Sequence, residues 1–87
     1  MDTETSLYVG NLDAQVDDAL LYELFLQLAP VSSVRLPRDR VSGTHQGFAF
    51  VRFPSSADAE YVLKVADGIV LYGRPLRVDR ERNGRRH

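Results

Sequence analysis

The chain has 87 residues, 44% hydrophobic and 26% charged, with 11 Lys and Arg against 12 Asp and Glu, a net charge of −1 and an isoelectric point near 6.0. This size and composition suit one small globular domain, and the absence of cysteine excludes a disulfide framework or a thiolate metal site. No apolar run approaches the roughly 20 residues of a membrane-spanning helix, and the polar start Met1–Ser6 does not read as a secretory signal; the expectation is a soluble, intracellular protein.

Residues 1–6 read as a flexible N-terminus. Leu7-Tyr8-Val9-Gly10-Asn11-Leu12 is a short β-branched and aromatic run closed by turn residues, which predicts a first strand. Asp17 is a good N-cap, with Asp18 in the first turn, and predicts a helix to about Leu28 whose Leu20, Leu21, Leu24, Phe25 and Leu28 face a core. Pro30 ends that helix. Val31 to Leu36 is a second strand stopped by Pro37, and the polar stretch Arg38 to Gln46, containing Ser42-Gly43, reads as an exposed hairpin loop. Phe48 to Phe53 is the strongest strand signal in the chain. Pro54-Ser55-Ser56 punctuates before a second helix, Ala57 to Ala66, with Ala59, Val62, Leu63 and Ala66 inward. Asp67-Gly68 ends it, Ile69 to Pro75 is a connector, and Leu76 to Arg80 is the last strand. Residues 81–87 show no apolar pattern and read as a basic tail or the start of a linker, which leaves one domain over residues 7–80.

The order β-α-β-β-α-β predicts an α+β fold: a ferredoxin-like sandwich in which a four-stranded antiparallel sheet carries two helices on one face. The other face is left open, so its side chains decide the function. Side chains alternate across a strand. On the third strand Ala49, Val51 and Phe53 share one face while Phe48, Phe50 and Arg52 share the other; on the first, Leu7 and Val9 oppose Tyr8. If the aliphatic set meets the helices, Tyr8, Phe48 and Phe50 stand on the open face. Exposed aromatics are costly unless something stacks on them, and nucleobases do so at about 1–3 kcal/mol per base. Reading these aromatics as ordinary core fails on parity, because it turns Leu7, Val9, Ala49 and Val51 out to water. On the last strand Arg77 and Asp79 share the open-face parity; Arg77 is a candidate RNA contact, or the two form a surface ion pair. Arg38, Arg40 and His45 lie in or beside the hairpin loop, where they either steer phosphates or remain solvated loop charge.

A net charge near zero sits uneasily with a nucleic-acid binder, whose surface is often basic. The distribution softens this. Residues 1–30 hold six acids and no Lys or Arg, and all 11 basic residues fall in residues 31–87 against six acids there. A basic and an acidic side coexist if the fold separates them.

Leu7 to Leu12 resembles the six-residue motif of the RNA recognition motif (RRM) family, and Gln46-Gly47-Phe48-Ala49-Phe50-Val51-Arg52-Phe53 resembles its eight-residue partner, at the right separation and within a resemblance covering residues 6–80. The resemblance implies a domain that binds single-stranded RNA on its sheet, with Tyr8 and Phe50 stacking two successive bases and Phe48 packing against a sugar or a third base. Gln46 departs from the family pattern, which usually opens with Lys or Arg; it offers hydrogen bonds to phosphate or base but no charge, so weaker binding and a shallower salt dependence are expected.

Leu21-Tyr22-Glu23-Leu24-Phe25-Leu26-Gln27, Pro37-Arg38-Asp39-Arg40-Val41, His45-Gln46-Gly47-Phe48 and Leu71-Tyr72-Gly73-Arg74-Pro75 are similar to the first RRM of the splicing factor 3b subunit 4 family, and Gln46 fits that subgroup. Its members carry a second RRM, so the resemblance implies that this chain corresponds to the first domain alone. It also implies a nuclear pre-mRNA splicing role near the branch site, with the sheet on RNA and the helical side docked on another splicing factor 3b subunit. The residues give an independent hint. From Leu20 to Leu28 the first helix is apolar except at Glu23 and Gln27, more than one core-facing stripe requires. Tyr22 and Leu26 fall off that stripe, and Tyr61 and Val65 repeat the spacing on the second helix. These four make a candidate protein-docking patch, or the tyrosines simply lie flat over the helix pair.

Two other function classes compete with this reading. A protein-only RRM that grips a partner's tryptophan, the alternative reading, uses an acidic first helix, which this chain partly has, with an Arg-x-Phe motif after the second helix; here that place reads Arg74-Pro75-Leu76, and the aromatic is missing. A small enzyme on a similar sandwich, such as an acylphosphatase, needs a phosphate-cradling loop with a positioned Arg, and none is found. There is no Ser/His/Asp set, and His45 and His87 are too far apart in sequence to suggest a metal pair. No catalysis, metal, cofactor, small-molecule substrate or membrane partner is expected.

Overall fold

The computed structural model describes residues 3–81, so the tail expected over 81–87 lies outside the described residues from position 82 onward. A short 3-10 turn, Thr3–Thr5, leads into β1 (Ser6–Gly10), followed by α1 (Asp18–Leu26), β2 (Ser33–Arg35), β3 (Phe48–Arg52), α2 (Ser56–Ala66), β4 (Val70–Leu71), β5 (Arg74–Pro75) and β6 (Arg77–Arg80). The main sheet has the order β2-β3-β1-β6 with every pairing antiparallel. This is the expected α+β sandwich. β1 and β3, the two strands that carry the family-like motifs, occupy its centre.

Local chemistry fixes the element ends. The Asp17 carboxylate accepts the Leu20 N–H at 2.8 Å, satisfying one of the orphan donors that open α1. The helix stops at Leu26, short of the expected Leu28, because its last turn tightens: the N–H groups of Leu28 and Ala29 both donate to the Phe25 carbonyl. Ser55 caps α2 by accepting the Asp58 N–H at 3.1 Å, while its own hydroxyl donates to the Asp58 carboxylate at 3.0 Å. β1 ends at Gly10 rather than Leu12, since Asn11 adopts a left-handed conformation (φ 63°) that takes the chain out of the sheet.

The first core layer is the helix-facing side of the central strands. Leu7, Val9, Ala49, Val51 and Val78 are buried against Leu21 and Phe25 of α1 and Ala59, Val62 and Ala66 of α2. Each fully buried Val, Leu or Phe contributes about 1.5–3 kcal/mol. Leu20, Leu24, Leu28 and Leu63 are only partly buried and pack on the margin of that core.

Three expectations are corrected. Residues 3–6 do not read as a loose lead-in: Thr3–Thr5 form a turn packed against α2, Ser6 is buried, and the Thr5 carbonyl accepts the Phe53 N–H at 2.8 Å. The second strand is three residues, not six. Residues 69–75 are not a plain connector but a small hairpin, Val70–Leu71 against Arg74–Pro75. Its two-residue turn places Tyr72 and Gly73 at φ 55° and 75°, the pair of positive angles of a type I′ turn. A tyrosine at the first turn position concealed it.

Candidate nucleic-acid interface

Parity and register together build the open face. Tyr8 pairs with Phe50 across β1 and β3, Phe50 with Arg35 of β2, and Tyr8 with Asp79 of β6, so one cross-strand row reads Arg35, Phe50, Tyr8, Asp79. The next row runs Phe48, Gly10, Arg77. The row on the other side pairs Arg52 with both Ser6 and Ser33. On β1 and β3 the core-facing neighbours of these residues are fully buried, whereas Tyr8, Phe48 and Phe50 keep part of their surface in water.

The three rings form one cluster. Phe48 lies 5.9 Å from Tyr8 with the planes 20° apart, Phe50 meets Tyr8 edge-on at 6.0 Å, and Phe48 and Phe50 are 5.6 Å apart. These are ordinary attractive aromatic geometries that hold each ring's orientation on the sheet. Gly10 is part of the platform because the Tyr8 ring lies over it. A Cβ on Gly10 would fall 2.6 Å from the Tyr8 hydroxyl oxygen and 2.7 Å from its Cε1, so any larger residue lifts the ring.

Two shallow depressions flank the cluster. Toward β2, one is lined by Ser33, Arg35, Phe50 and Arg52 among others; toward β6, another is lined by Tyr8, Asn11, Asp67, Arg77 and Asp79. The guanidinium of Arg35 sits 4.7 Å from the Phe50 ring centroid, a cation–π contact. Sequence reading missed Arg35 as a site residue. Its alternation with Val34 and Leu36 hinted at the polar face, but pairing with Phe50 depends on a register that local sequence does not encode.

The face thus gathers Tyr8, Phe48, Phe50, Arg52 and Arg77. Arg77 and Asp79 form no ion pair with each other: the Asp79 carboxylate instead accepts the Arg80 N–H at 2.8 Å. The loop residues stand apart from the rings. Arg38 donates weakly to the Gly43 carbonyl and lies 4.0 Å from the Asp18 carboxylate at the start of α1. Both of those charged groups are exposed, so the pair contributes little. Arg40 is exposed near the loop tip, and Gln46 is exposed two residues before Phe48. His45, expected beside the loop either to steer phosphates or to stay solvated, is committed inward. Its Nδ1 accepts the Gly47 N–H at 2.9 Å, which leaves Nε2 to donate to the Asp13 carbonyl at 2.8 Å. The ring ties the β1–α1 segment to the entry of β3.

On the opposite side of the domain, Tyr22, Leu26, Tyr61 and Val65 project from the helices at 42%, 46%, 53% and 41% exposure.

The model of the RNA recognition motif matches residues 7–77. The chain belongs to the RNA recognition motif family. It is therefore an RNA-binding domain type, which accounts for the open aromatic sheet. Among curated proteins the chain is 49% identical over 77 residues to human splicing factor 3B subunit 4, covering 88% of this chain and 18% of that protein. It is 43% identical over 77 residues to spliceosome-associated protein 49 of Schizosaccharomyces pombe, covering 88% of this chain and 23% of the relative. The chain thus spans about a fifth of the length of these relatives. A solved Sxl-lethal protein/RNA complex superposes with a TM-score of 0.87 at 36% identity, over 92% of this chain and 48% of that one.

Proposed function

We propose that this domain binds single-stranded pre-mRNA on the open sheet as part of a nuclear splicing factor, with Tyr8 and Phe50 each stacking a base and Phe48 packing on a sugar or third base. The observation that carries this reading is the row in which Tyr8 and Phe50 stand side by side on the two central strands, partly exposed and braced by Phe48. Arg52 and Arg77 supply charge on either side of the rings, and Gln46, Arg38 and Arg40 extend the contact toward the β2–β3 loop. The relatedness to splicing factor 3B subunit 4 and spliceosome-associated protein 49 supports the splicing assignment and the nuclear location. Replacing Tyr8 or Phe50 with Ala is expected to weaken a short single-stranded RNA by about 1–3 kcal/mol per lost stack while the domain stays folded. Isothermal titration calorimetry beside a thermal melt checks this; unchanged affinity in a folded double variant removes the sheet-face assignment.

A second role is supported by the helical face. Tyr22, Leu26, Tyr61 and Val65 expose apolar surface that the core does not use, and Asp18 and Glu23 beside Tyr22 give its margin an acidic character. Such a patch fits a protein subunit with aliphatic anchors and a basic rim, in line with docking on another splicing factor 3b subunit. Because helices and open sheet lie on opposite sides, partner and RNA bind together. A Tyr22→Glu, Tyr61→Glu variant is expected to lose the protein in a pull-down and keep RNA. Competition between the two ligands would instead favour a protein-only module that uses the sheet.

A further inference from the structure

Asp79 is an unusual neighbour for a surface that meets a polyanion. Its register partner across the β1–β6 ladder is Tyr8, and it shares the open face, since Val78 on one side is buried and Arg80 on the other reaches toward α2 to pair with Glu60 at 2.6 Å. Directly paired residues on one sheet face have Cβ atoms only about 4.5–5.5 Å apart, so a base lying on the Tyr8 ring presents an edge to this carboxylate. The carboxylate is also held in place. Its Oδ1 accepts the Arg80 N–H at 2.8 Å, while among the described residues Oδ2 has no partner and no cation neutralises the group. Of the other polar groups of the same depression, Asn11 accepts from Arg74 and donates to the Pro75 carbonyl and Asp67 accepts the Val78 N–H, while Arg77 lines it without forming an ion pair with Asp79.

We propose that Asp79 selects the base stacked on Tyr8, favouring one with an exocyclic amino group over uracil. This rests on the sheet-face reading above. A carboxylate is an acceptor only, and beside RNA it is unfavourable unless the ligand brings it a donor. Cytosine N4, adenine N6 and guanine N1 and N2 bring N–H groups to that edge. Uracil brings a carbonyl oxygen at position 4, and its single N3–H is flanked by carbonyls that repel the carboxylate. Oligocytidine and oligouridine make the cleanest comparison because the two pyrimidines offer similar stacking area.

The test is fluorescence anisotropy with short oligocytidine and oligouridine of equal length at one fixed salt concentration, on the wild-type chain, Asp79→Asn and Tyr8→Ala. The ratio of affinities is the readout, because removing a negative charge strengthens every RNA. Wild type is expected to favour cytidine by about fivefold or more, the low end of what one directed base contact discriminates. Asp79→Asn, which offers an amide donor of the same size, is expected to bring the ratio within about twofold or invert it. If wild type binds and weakens on Tyr8→Ala, yet prefers uridine or keeps the same ratio in Asp79→Asn, the assignment of Asp79 is wrong and the sheet-face reading stands. If no RNA binds, or if Tyr8→Ala changes nothing, both fall together.

Discussion

The two faces of the central sheet are made from the same ten residues of β1 and β3, yet they obey different rules. On the covered face Leu7, Val9, Ala49 and Val51 are fully buried and aliphatic. One residue away in each case, Tyr8, Phe48 and Phe50 are large, aromatic and partly in water, set among Arg35, Arg52, Arg77 and Asp79. A strand's period of two lets adjacent positions answer to packing and to ligand separately. Stability and binding are therefore expected to come apart by residue parity, and substitutions on the two faces test that separation.

The largest effect falls on the covered side. Phe25 of α1 is fully buried and meets Phe53 edge-on at 6.4 Å; Phe25→Ala removes a core ring and is expected to cost about 3–5 kcal/mol of folding stability in chemical denaturation. A domain of this size has little more than that to lose. A loss below about 1 kcal/mol would show that the core redistributes. Gly10→Ala sharpens the contrast from the open side, because it adds one methyl under the Tyr8 ring. RNA affinity is expected to fall by about 1 kcal/mol, part of one stacking contact, with the melting temperature nearly unchanged. An unaltered affinity would mean that the ring's seat over Gly10 is irrelevant to binding.

Parity was legible in the sequence, and with it the identity of both faces, because alternation needs only local information. The order of the four main-sheet strands and two helices and the N-cap Asp17 were legible for the same reason, whereas Ser55 read only as punctuation before the second helix. Register was not. The pairing of Arg35 with Phe50 and of Asp79 with Tyr8 joins residues far apart in the chain, so the charged ends of the aromatic row appear only in the folded sheet. His45 shows a second limit: a polar residue at a loop edge looks solvent-directed until its two hydrogen bonds are seen. The β4–β5 hairpin was hidden because Tyr72, not Asn or Gly, occupies a left-handed turn position.

The smallest effect concerns charge. With two or three phosphates neutralised by the arginines of the open face, the log–log slope of affinity against salt is expected near about −1.4 to −2.1. Gln46→Lys is expected to steepen it by well under about one unit. A slope beyond about −4, measured by anisotropy across a salt series, would reveal a cationic surface larger than the one formed by Arg35, Arg52 and Arg77.

The separation of the two faces is tested most directly by a two-dimensional NMR titration of the isotopically labelled domain with a short single-stranded RNA. The expected shifts map to the open face, at Tyr8, Gly10, Arg35, Phe48, Phe50, Arg52, Arg77 and Asp79, while Tyr22, Leu26, Tyr61 and Val65 on the helices stay in place. Shifts concentrated on α1 and α2, with the sheet silent at saturating RNA, would contradict the assignment of the aromatic row as the RNA-binding surface.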